Sequence, residues 1–188
     1  NRLTGNLGND WIEGGKGTDT ALFAGKLTDY WLTENFGKNF IEACDGVSGF
    51  DTLISIERLQ FLDAHLAFDV DANAGQVYRL YKAAFARTPD LGGLGGWIAG
   101  MDNGLGLEQV ANSFIASAEF QSLYGASSSN GQFVTALYLN VMGRAPDAGG
   151  YGYWVNQLAS SLQSRAQVLV AFSESAENKS ATAGLSAN

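Results

Sequence analysis

The residues best suited to chemistry in this sequence are two aspartates, Asp10 and Asp19, which lie nine residues apart, each behind a run of glycines. They sit in the stretches GNLGNDWIE (5–13) and GGKGTDTAL (14–22). Glycine adopts left-handed backbone conformations at no steric cost, so such turns can aim carbonyl oxygens inward, and aspartate adds a charged oxygen. Ca²⁺ takes six to eight oxygen ligands in flexible geometry. The pattern therefore predicts calcium binding.

Both stretches fit the nonapeptide G-G-x-G-x-D-x-U-x, which forms turns of a calcium-binding parallel β-helix. Leu3 and Asn1 occupy the apolar and aspartate positions of a preceding unit, so we expect further repeats upstream. A third and looser unit runs through DGVSGFDTL, residues 45–53, where a plain hairpin is the alternative. The predicted oxygen ligands come from the side chains and backbone of Asp10, Asp19, Gly5, Asn6, Gly8, Gly14, Gly17, Asp45 and Asp51.

The charge distribution also favours a cation as the partner of the first part of the chain. The net charge is −8, and residues 1–73 hold 12 of the 19 acidic residues but only 5 of the 11 basic ones. Such a segment repels nucleic acid and anionic lipid. The sequence also lacks a run of eighteen apolar residues, so we expect neither nucleic-acid binding nor membrane insertion.

Groups for catalysis are scarce. The chain has one histidine, His65, and one cysteine, Cys44, and it contains neither G-x-S-x-G nor H-E-x-x-H. We predict that Cys44 is an inert core residue and that His65 lies on the surface or in a linker. The sequence therefore predicts a protein that is not an enzyme.

The elements that must position the aspartates are short strands. Alternating apolar residues predict strands at 20–24, 29–34 and 39–43, and a longer alternating run at 52–61. Asp69, Asp71 and Asn73 either bind a cation or form a linker with a helix N-cap. We place a domain boundary near residue 73.

The rest of the chain is a duplicated helical unit. YKAAFARTPDLGG aligns with YLNVMGRAPDAGG at an offset of 57 residues, and after one inserted residue SAE at 117–119 aligns with SAE at 175–177. Helical periodicity predicts three helices in each copy, about six in all. The helical domain spans 74–180, with copies at about 77–125 and 134–180, and 181–188 is a tail.

Proline and glycine mark the joints of each copy. Because the residue before proline avoids the α region, the first helix should end near Arg87 or Arg144. Asp90 and Asp147 should cap the second helix. The glycine pairs that follow cost helix stability, so we expect another backbone to approach them closely.

The glycine-rich segment resembles the RTX (repeats-in-toxin) proteins, and GGKGTDTALFAGKLTDYWLT and GFDTLISIERLQFLD resemble the end of an RTX β-roll. This resemblance implies export by a type I secretion apparatus without an N-terminal signal, an extracellular or cell-surface location, and folding on calcium. The repeated R-x-P-D-x-x-G-x-x-x-W pattern resembles a helical domain of unknown function that often ends RTX proteins, and more distantly phycobilisome linker domains.

The expected fold is α+β: a short calcium-binding parallel β-roll end with a small β cap, followed by an all-α bundle. The expected function is a calcium-dependent, non-catalytic module that acts in adhesion, matrix association or assembly by binding a glycan or a protein. The alternative is the C-terminal accessory or secretion domain of an extracellular hydrolase or polysaccharide-modifying enzyme. Tyr151, Tyr153 and Trp154 are candidates for a ligand or partner surface, the alternative being bundle core, with Tyr153 as the exposed ring.

Overall fold

A computed structural model describes residues 1–35, 38–46 and 49–183 of the chain. The chain divides into two compact units, Asn1–Asp69 and a second that begins at Val70. The first is built from strands and the second from helices, so the fold is mixed α+β, as predicted.

Within the described residues, the first unit has eight strands in two four-stranded sheets. One sheet has the order β1-β3-β7-β8 and the other the order β2-β6-β5-β4, and a single 3₁₀ turn, Leu27–Asp29, precedes β4. The strands are β1 Arg2–Leu3, β2 Trp11–Glu13, β3 Thr20–Leu22, β4 Tyr30–Asn35, β5 Lys38–Ala43, β6 Phe50–Ile54, β7 Arg58–Gln60 and β8 His65–Ala67.

The first strands alternate between the two sheets. β1, β3 and β7 run parallel in one sheet, and β2 and β6 run parallel in the other. Ile12 and Leu53 from one sheet share a single buried cluster with Ala21 and Leu59 from the other. The apolar residue of each nonapeptide therefore points into the core, which explains the nine-residue spacing.

The alternating run at 52–61 forms two strands, β6 and β7. Ser55, between β6 and β7, has a left-handed φ of 50°, which breaks the strand and sends the chain to the other sheet. β4, β5 and β6 pair antiparallel, as a small β cap would. Cys44 is exposed in the turn after β5, so its placement in the core was wrong. His65 is exposed, as predicted, but in a strand.

The linker at 69–73 does not use the polar helix cap that we predicted. The N-cap of the first helix is Ala72, whose side chain cannot accept a hydrogen bond. Asp69 accepts a hydrogen bond from the guanidinium of Arg58 (3.2 Å to Oδ2), and so it belongs to the first unit.

The described part of the second unit contains eight helices, four in each copy, so the prediction of three per copy was too low. The additional helices are α4 and α8, which begin after Ser117 and Ser175, and each serine accepts a hydrogen bond from a backbone N–H of the new helix. The helices are α1 Asn73–Phe85, α2 Leu91–Asp102, α3 Leu107–Ala116, α4 Ala118–Tyr124, α5 Asn130–Met142, α6 Ala148–Ala159, α7 Arg165–Ser173 and α8 Ala176–Thr182.

The first helix of each copy ends two residues before the predicted arginine. Ala86 and Gly143 adopt left-handed conformations, with φ of 52° and 64°, and their N–H groups bond carbonyls of the last helical turn. A left-handed residue closes a helix by satisfying such carbonyls. The apolar cores of the two copies are continuous, and α7 packs against both α1 and α3. Of the predicted tail, residues 181 and 182 belong to α8, and 184–188 lie outside the described residues.

Candidate functional site

The turns before the aspartates repeat one backbone conformation. Gly8, Gly17 and Gly49 each stand two residues before an aspartate, with φ of 109°, 109° and 111°. Asn6 and Gly15, four residues before Asp10 and Asp19, are also left-handed. These conformations favour glycine, so the sequence spacing of the glycines has a direct conformational cause.

The third unit shares features with both a hairpin and a nonapeptide turn. The strands on either side of it, β5 and β6, are antiparallel neighbours, as a hairpin requires. Gly49 nevertheless repeats the turn conformation of Gly8 and Gly17. An added Cβ on Gly49 would overlap the carbonyl oxygen of Gly8, so the first and third turns lie in contact. Residues 47 and 48 fall outside the described part of the chain.

Strand register pairs Asp10 with Asp51. Trp11 lies opposite Thr52 in the parallel pair β2–β6, which brings the two preceding aspartates together. The Asp10 N–H donates a 2.9 Å hydrogen bond to Asp51 Oδ1. Asp51 is 7% exposed, and Asp10 Oδ2 is buried without a hydrogen-bond partner in the described structure.

The Asp10–Asp51 pair carries unfavourable electrostatics. Burial raises the pKa of Asp51 and the nearby Asp10 carboxylate raises it further, while the hydrogen bond from the Asp10 backbone lowers it in part. Two adjacent carboxylates with a buried, unsatisfied oxygen are costly without a cation. A cavity of about 280 Å³ lies beside this pair, and its lining includes Gly5, Asn6, Gly49 and Asp51.

Asp19 has a different acidic neighbour. It precedes β3, and the register of β3 with β7 places it beside Glu57, whose Oε2 accepts a 2.9 Å hydrogen bond from the Asp19 N–H. Asp19 is fully buried, its Oδ2 has no hydrogen-bond partner among the described residues, and its Oδ1 pairs with the amino group of Asn1 at 2.5 Å. An added Cβ on Gly14 would overlap the Ser55 carbonyl and the Asp19 side chain.

The structure therefore separates Asp10 from Asp19. Asp10 leads into one sheet and Asp19 into the other, and each is joined to a different carboxylate. Asp45 lies exposed in the turn after β5. Glu57 was missed because it fits no nonapeptide, although its place directly before the strand Arg58–Gln60 matches that of Asp19 before β3.

We call each carboxylate pair with its neighbouring glycine turn an edge, which gives the Asp10–Asp51 edge and the Asp19–Glu57 edge. A cation at either edge would need backbone oxygens as well as side chains. The part of the chain that the structure describes contains no group of three or more His, Cys, Asp or Glu side chains placed to hold a metal. Each edge offers two carboxylates beside a glycine turn. Calcium accepts backbone carbonyls readily, so this donor set fits Ca²⁺ and does not fit zinc.

The helical unit contains a polar cluster that occurs in both copies. Asp90 and Asp147 accept hydrogen bonds from Gly93 N (2.7 Å) and Gly150 N (2.8 Å), which confirms the predicted N-caps. In each copy the arginine of the repeated motif lies over a tyrosine ring and forms a two-pronged ion pair with the first-turn glutamate of α4 or α8. The pairs are Arg87 with Glu119 and Arg144 with Glu177, over Tyr81 and Tyr138.

This cluster explains one glycine in the second helix of each copy. An added Cβ on Gly150 would overlap the hydroxyl of Tyr138, and one on Gly93 would lie 2.9 Å from the Asp90 carboxylate and 3.2 Å from the hydroxyl of Tyr81. The close approach thus comes from side chains, and our expectation of a backbone was wrong. Hydrogen bonds from Tyr81 and Gly93 lower the pKa of Asp90. All these groups are engaged with one another, so the cluster is structural.

The predicted aromatic surface divides into two parts. Trp154 is partly buried and packs on Phe172, with ring centroids 5.4 Å apart. Tyr153 is 52% exposed, as predicted, and Tyr151 is 38% exposed. Tyr151 lines a shallow groove with residues of α5, and its hydroxyl occupies the space where a side chain at Gly131 would lie.

One comparison with known proteins found a match in the helical unit. The model of a domain of unknown function (DUF4214) matches residues 111–182, which run from α3 to the end of α8. No curated protein and no solved structure matches the chain. Among the described residues, no helix has the length and apolar character needed to cross a bilayer.

Proposed function

We propose that the first unit is a calcium-dependent folding module of a secreted or cell-surface protein related to the RTX family, exported by a type I apparatus. The module is non-catalytic and serves adhesion, matrix association or assembly. The observation that carries this proposal is that Asp10 Oδ2 and Asp19 Oδ2 are both buried and have no hydrogen-bond partner among the described residues. Each aspartate lies beside a second carboxylate, Asp51 or Glu57, brought there by a parallel strand pair.

Burying these two oxygens costs free energy. A buried carboxylate oxygen without a partner costs about 1–3 kcal/mol, and a neighbouring carboxylate adds repulsion. A divalent cation removes both penalties at once. Asp10 and Asp51 would hold one ion with carbonyls of the Gly5–Gly8 turn, and Asp19 and Glu57 a second with carbonyls of the Gly14–Gly17 turn.

Calcium in this arrangement supplies structure and no reaction. The turns are rich in glycine and stand beside paired carboxylates in the acidic part of the chain, so ordering them is costly until a cation neutralises the site. The free energy of binding then becomes free energy of folding. Extracellular modules bind Ca²⁺ with a Kd of about 10⁻⁴–10⁻³ M, so such a unit orders outside the cell and stays open in a calcium-poor cytosol.

The test is a calcium titration of the full chain followed by circular dichroism and calorimetry. We expect calcium to increase β structure and EGTA to remove it, while most of the helical signal stays. The double variant Asp10→Asn, Asp19→Asn should lose the response. Glu13→Gln, which removes an exposed charge from β2, should retain it.

Two results would contradict the proposal. One is a β unit that folds to the same extent in EGTA and in 10 mM Ca²⁺, with no heat of binding. The other is a response that is equal in the wild-type chain and in the double variant, because the ion would then bind elsewhere.

A further inference from the structure

The duplicated helices allow each surface of one copy to be compared with its counterpart in the other. α1 corresponds to α5 at an offset of 57 residues, and α3 corresponds to α7 at an offset of 58. Helix α7 of the second copy packs extensively against α1 of the first. Among the described residues, α3 and α5 have no packing of similar extent. The two copies therefore pack head to tail. The face of α5 that corresponds to the covered face of α1, and the face of α3 that corresponds to the packed face of α7, are not paired in this way.

In the first copy, an ion pair lies at the contact between α1 and α7. Arg79 of α1 is 6% exposed and forms a two-pronged pair with Glu174 at the end of α7, at 2.7 and 2.8 Å. Lys179 lies 3.2 Å from the same carboxylate. Arg79 and Glu174 thus mark the contact between the copies.

The counterpart face of the second copy is an open groove. Ala136 stands where Arg79 stands in α1, Thr135 replaces Tyr78, and Leu139, 53% exposed, replaces Lys82. Among the described residues no helix covers this face as α7 covers α1, and the smaller side chains leave a groove of about 380 Å³ between α5 and Tyr151 of α6. The residues described as lining this groove include no charged side chain.

The opposite unmatched face lies on α3. Ala116 is the counterpart of Glu174 and is exposed, and the partly buried Ile115 is the counterpart of the fully buried Ser173. The positions that form the ion pair inside the chain are thus alanine on both open faces. Two small neutral residues can meet without a desolvated, unpaired charge.

We propose that the α5 groove of one chain binds the α3 face of a second copy, repeating between chains the packing of α7 on α1. Such a heterologous contact does not close on itself, so it builds linear assemblies. The proposal concerns the helical unit alone and does not depend on calcium binding. It names one partner for the assembly role, and its experiment has a separate readout from the calcium titration.

The test uses sedimentation velocity of the full chain in calcium, from micromolar to millimolar concentration. We expect the wild-type chain to form concentration-dependent oligomers. Ala136→Arg and Ala116→Glu each place an unpaired charge in the contact and should each weaken association at least tenfold. An equimolar mixture of the two variants should associate again, because the new arginine and glutamate can pair across chains as Arg79 and Glu174 do within one.

Leu162→Glu changes a leucine that is 70% exposed and lies outside both faces, so it should sediment like the wild type. Circular dichroism should give the same helical content for all variants. A wild-type chain that is monomeric at every concentration would overturn the proposal, as would oligomers that neither variant weakens or a mixture that stays monomeric. A monomeric chain that binds oligosaccharides and loses them in Tyr151→Ala would assign the groove to a sugar instead.

Discussion

Asp10, directly before β2, and Asp51, in the parallel strand β6, occupy matching positions, and the backbone of the first binds the carboxylate of the second. The Asp10 N–H donates to Asp51 Oδ1 at 2.9 Å, while Asp10 Oδ2 is buried without a hydrogen-bond partner in the described structure. The two carboxylates repel each other when no cation is present, and a shared cation would neutralise both. Removing one charge should therefore have opposite effects with and without calcium.

The variant Asp51→Asn tests this reversal. Asparagine keeps an oxygen for the Asp10 N–H but removes the repulsion and the buried charge. Without calcium we expect stabilisation of the first unit by about 1 kcal/mol, a value reduced by solvent screening. With calcium we expect roughly tenfold weaker binding, about 1.4 kcal/mol. Thermal melts of the β signal in EGTA and in 10 mM Ca²⁺ measure both.

Glu13→Gln is the matched control, because it removes a charge at an exposed position of β2 and should change neither melt appreciably. If Asp51→Asn destabilised the unit equally in both solutions, the aspartate would be a structural hydrogen-bond acceptor and the calcium proposal for this edge would fail.

The pH dependence follows from the raised pKa of Asp51, whose ordinary value is 3.8. A carboxyl with a raised pKa in the folded state favours folding at low pH, and this contribution disappears as the pH rises through the folded-state pKa. Calcium needs the ionised form. Raising the pH from about 4 to 7 should therefore weaken the calcium-free unit and strengthen calcium binding. Calorimetric titration at several pH values checks the second effect.

Asp51→Asn should flatten both trends, since the titrating group is gone. Calcium affinity that does not change between pH 4 and pH 7 in the wild-type chain would rule out Asp51 as a ligand that must ionise.

The turns and aspartates of the candidate site were predictable from the sequence, but the carboxylates that lie beside Asp10 and Asp19 were not. The left-handed turns at Gly8 and Gly17 follow from local glycine spacing, and this information lies within nine residues. The pairing of Asp10 with Asp51, and of Asp19 with Glu57, joins residues 41 and 38 positions apart. It depends on which strands become neighbours and in what register. Periodicity within one segment carries no information about that choice.

In the helical unit, too, local features were predictable from the sequence and features that depend on packing were not. The caps at Asp90 and Asp147 were predictable because a cap is a local hydrogen bond. The fourth helix of each copy has only seven residues, too few for helical periodicity to stand out. Its signal was the serine before each Ala-Glu pair, an N-cap with an acid in the first turn. The groove depends on what packs beside α5, which only the assembled bundle defines.

The substitution Gly49→Ala tests whether ion binding requires the contact between the turns at Gly8 and Gly49. It combines a φ of 111° with a Cβ position that would overlap the Gly8 carbonyl oxygen. Gly49→Ala should displace that carbonyl, destabilise the first unit by about 1–3 kcal/mol and abolish binding at the Asp10–Asp51 edge. Gly46→Ala is the control, because Gly46 is also left-handed but faces open space. Equal calcium affinity in both variants would separate the turn contact from ion binding.

The glycines of α6 predict opposite effects for two substitutions two residues apart. An added methyl on Gly150 would overlap the Tyr138 hydroxyl, so Gly150→Ala should destabilise the helical unit by about 1–3 kcal/mol. Gly152 faces open space within the same helix, so Gly152→Ala should stabilise it by about 0.5–1 kcal/mol through helix propensity. Urea unfolding followed by the helical signal measures both. If Gly150→Ala were as stabilising as Gly152→Ala, the tyrosine contact would not be the reason for the glycine. Gly150→Ala combined with Tyr138→Phe, which removes the obstructing hydroxyl, should recover part of the loss.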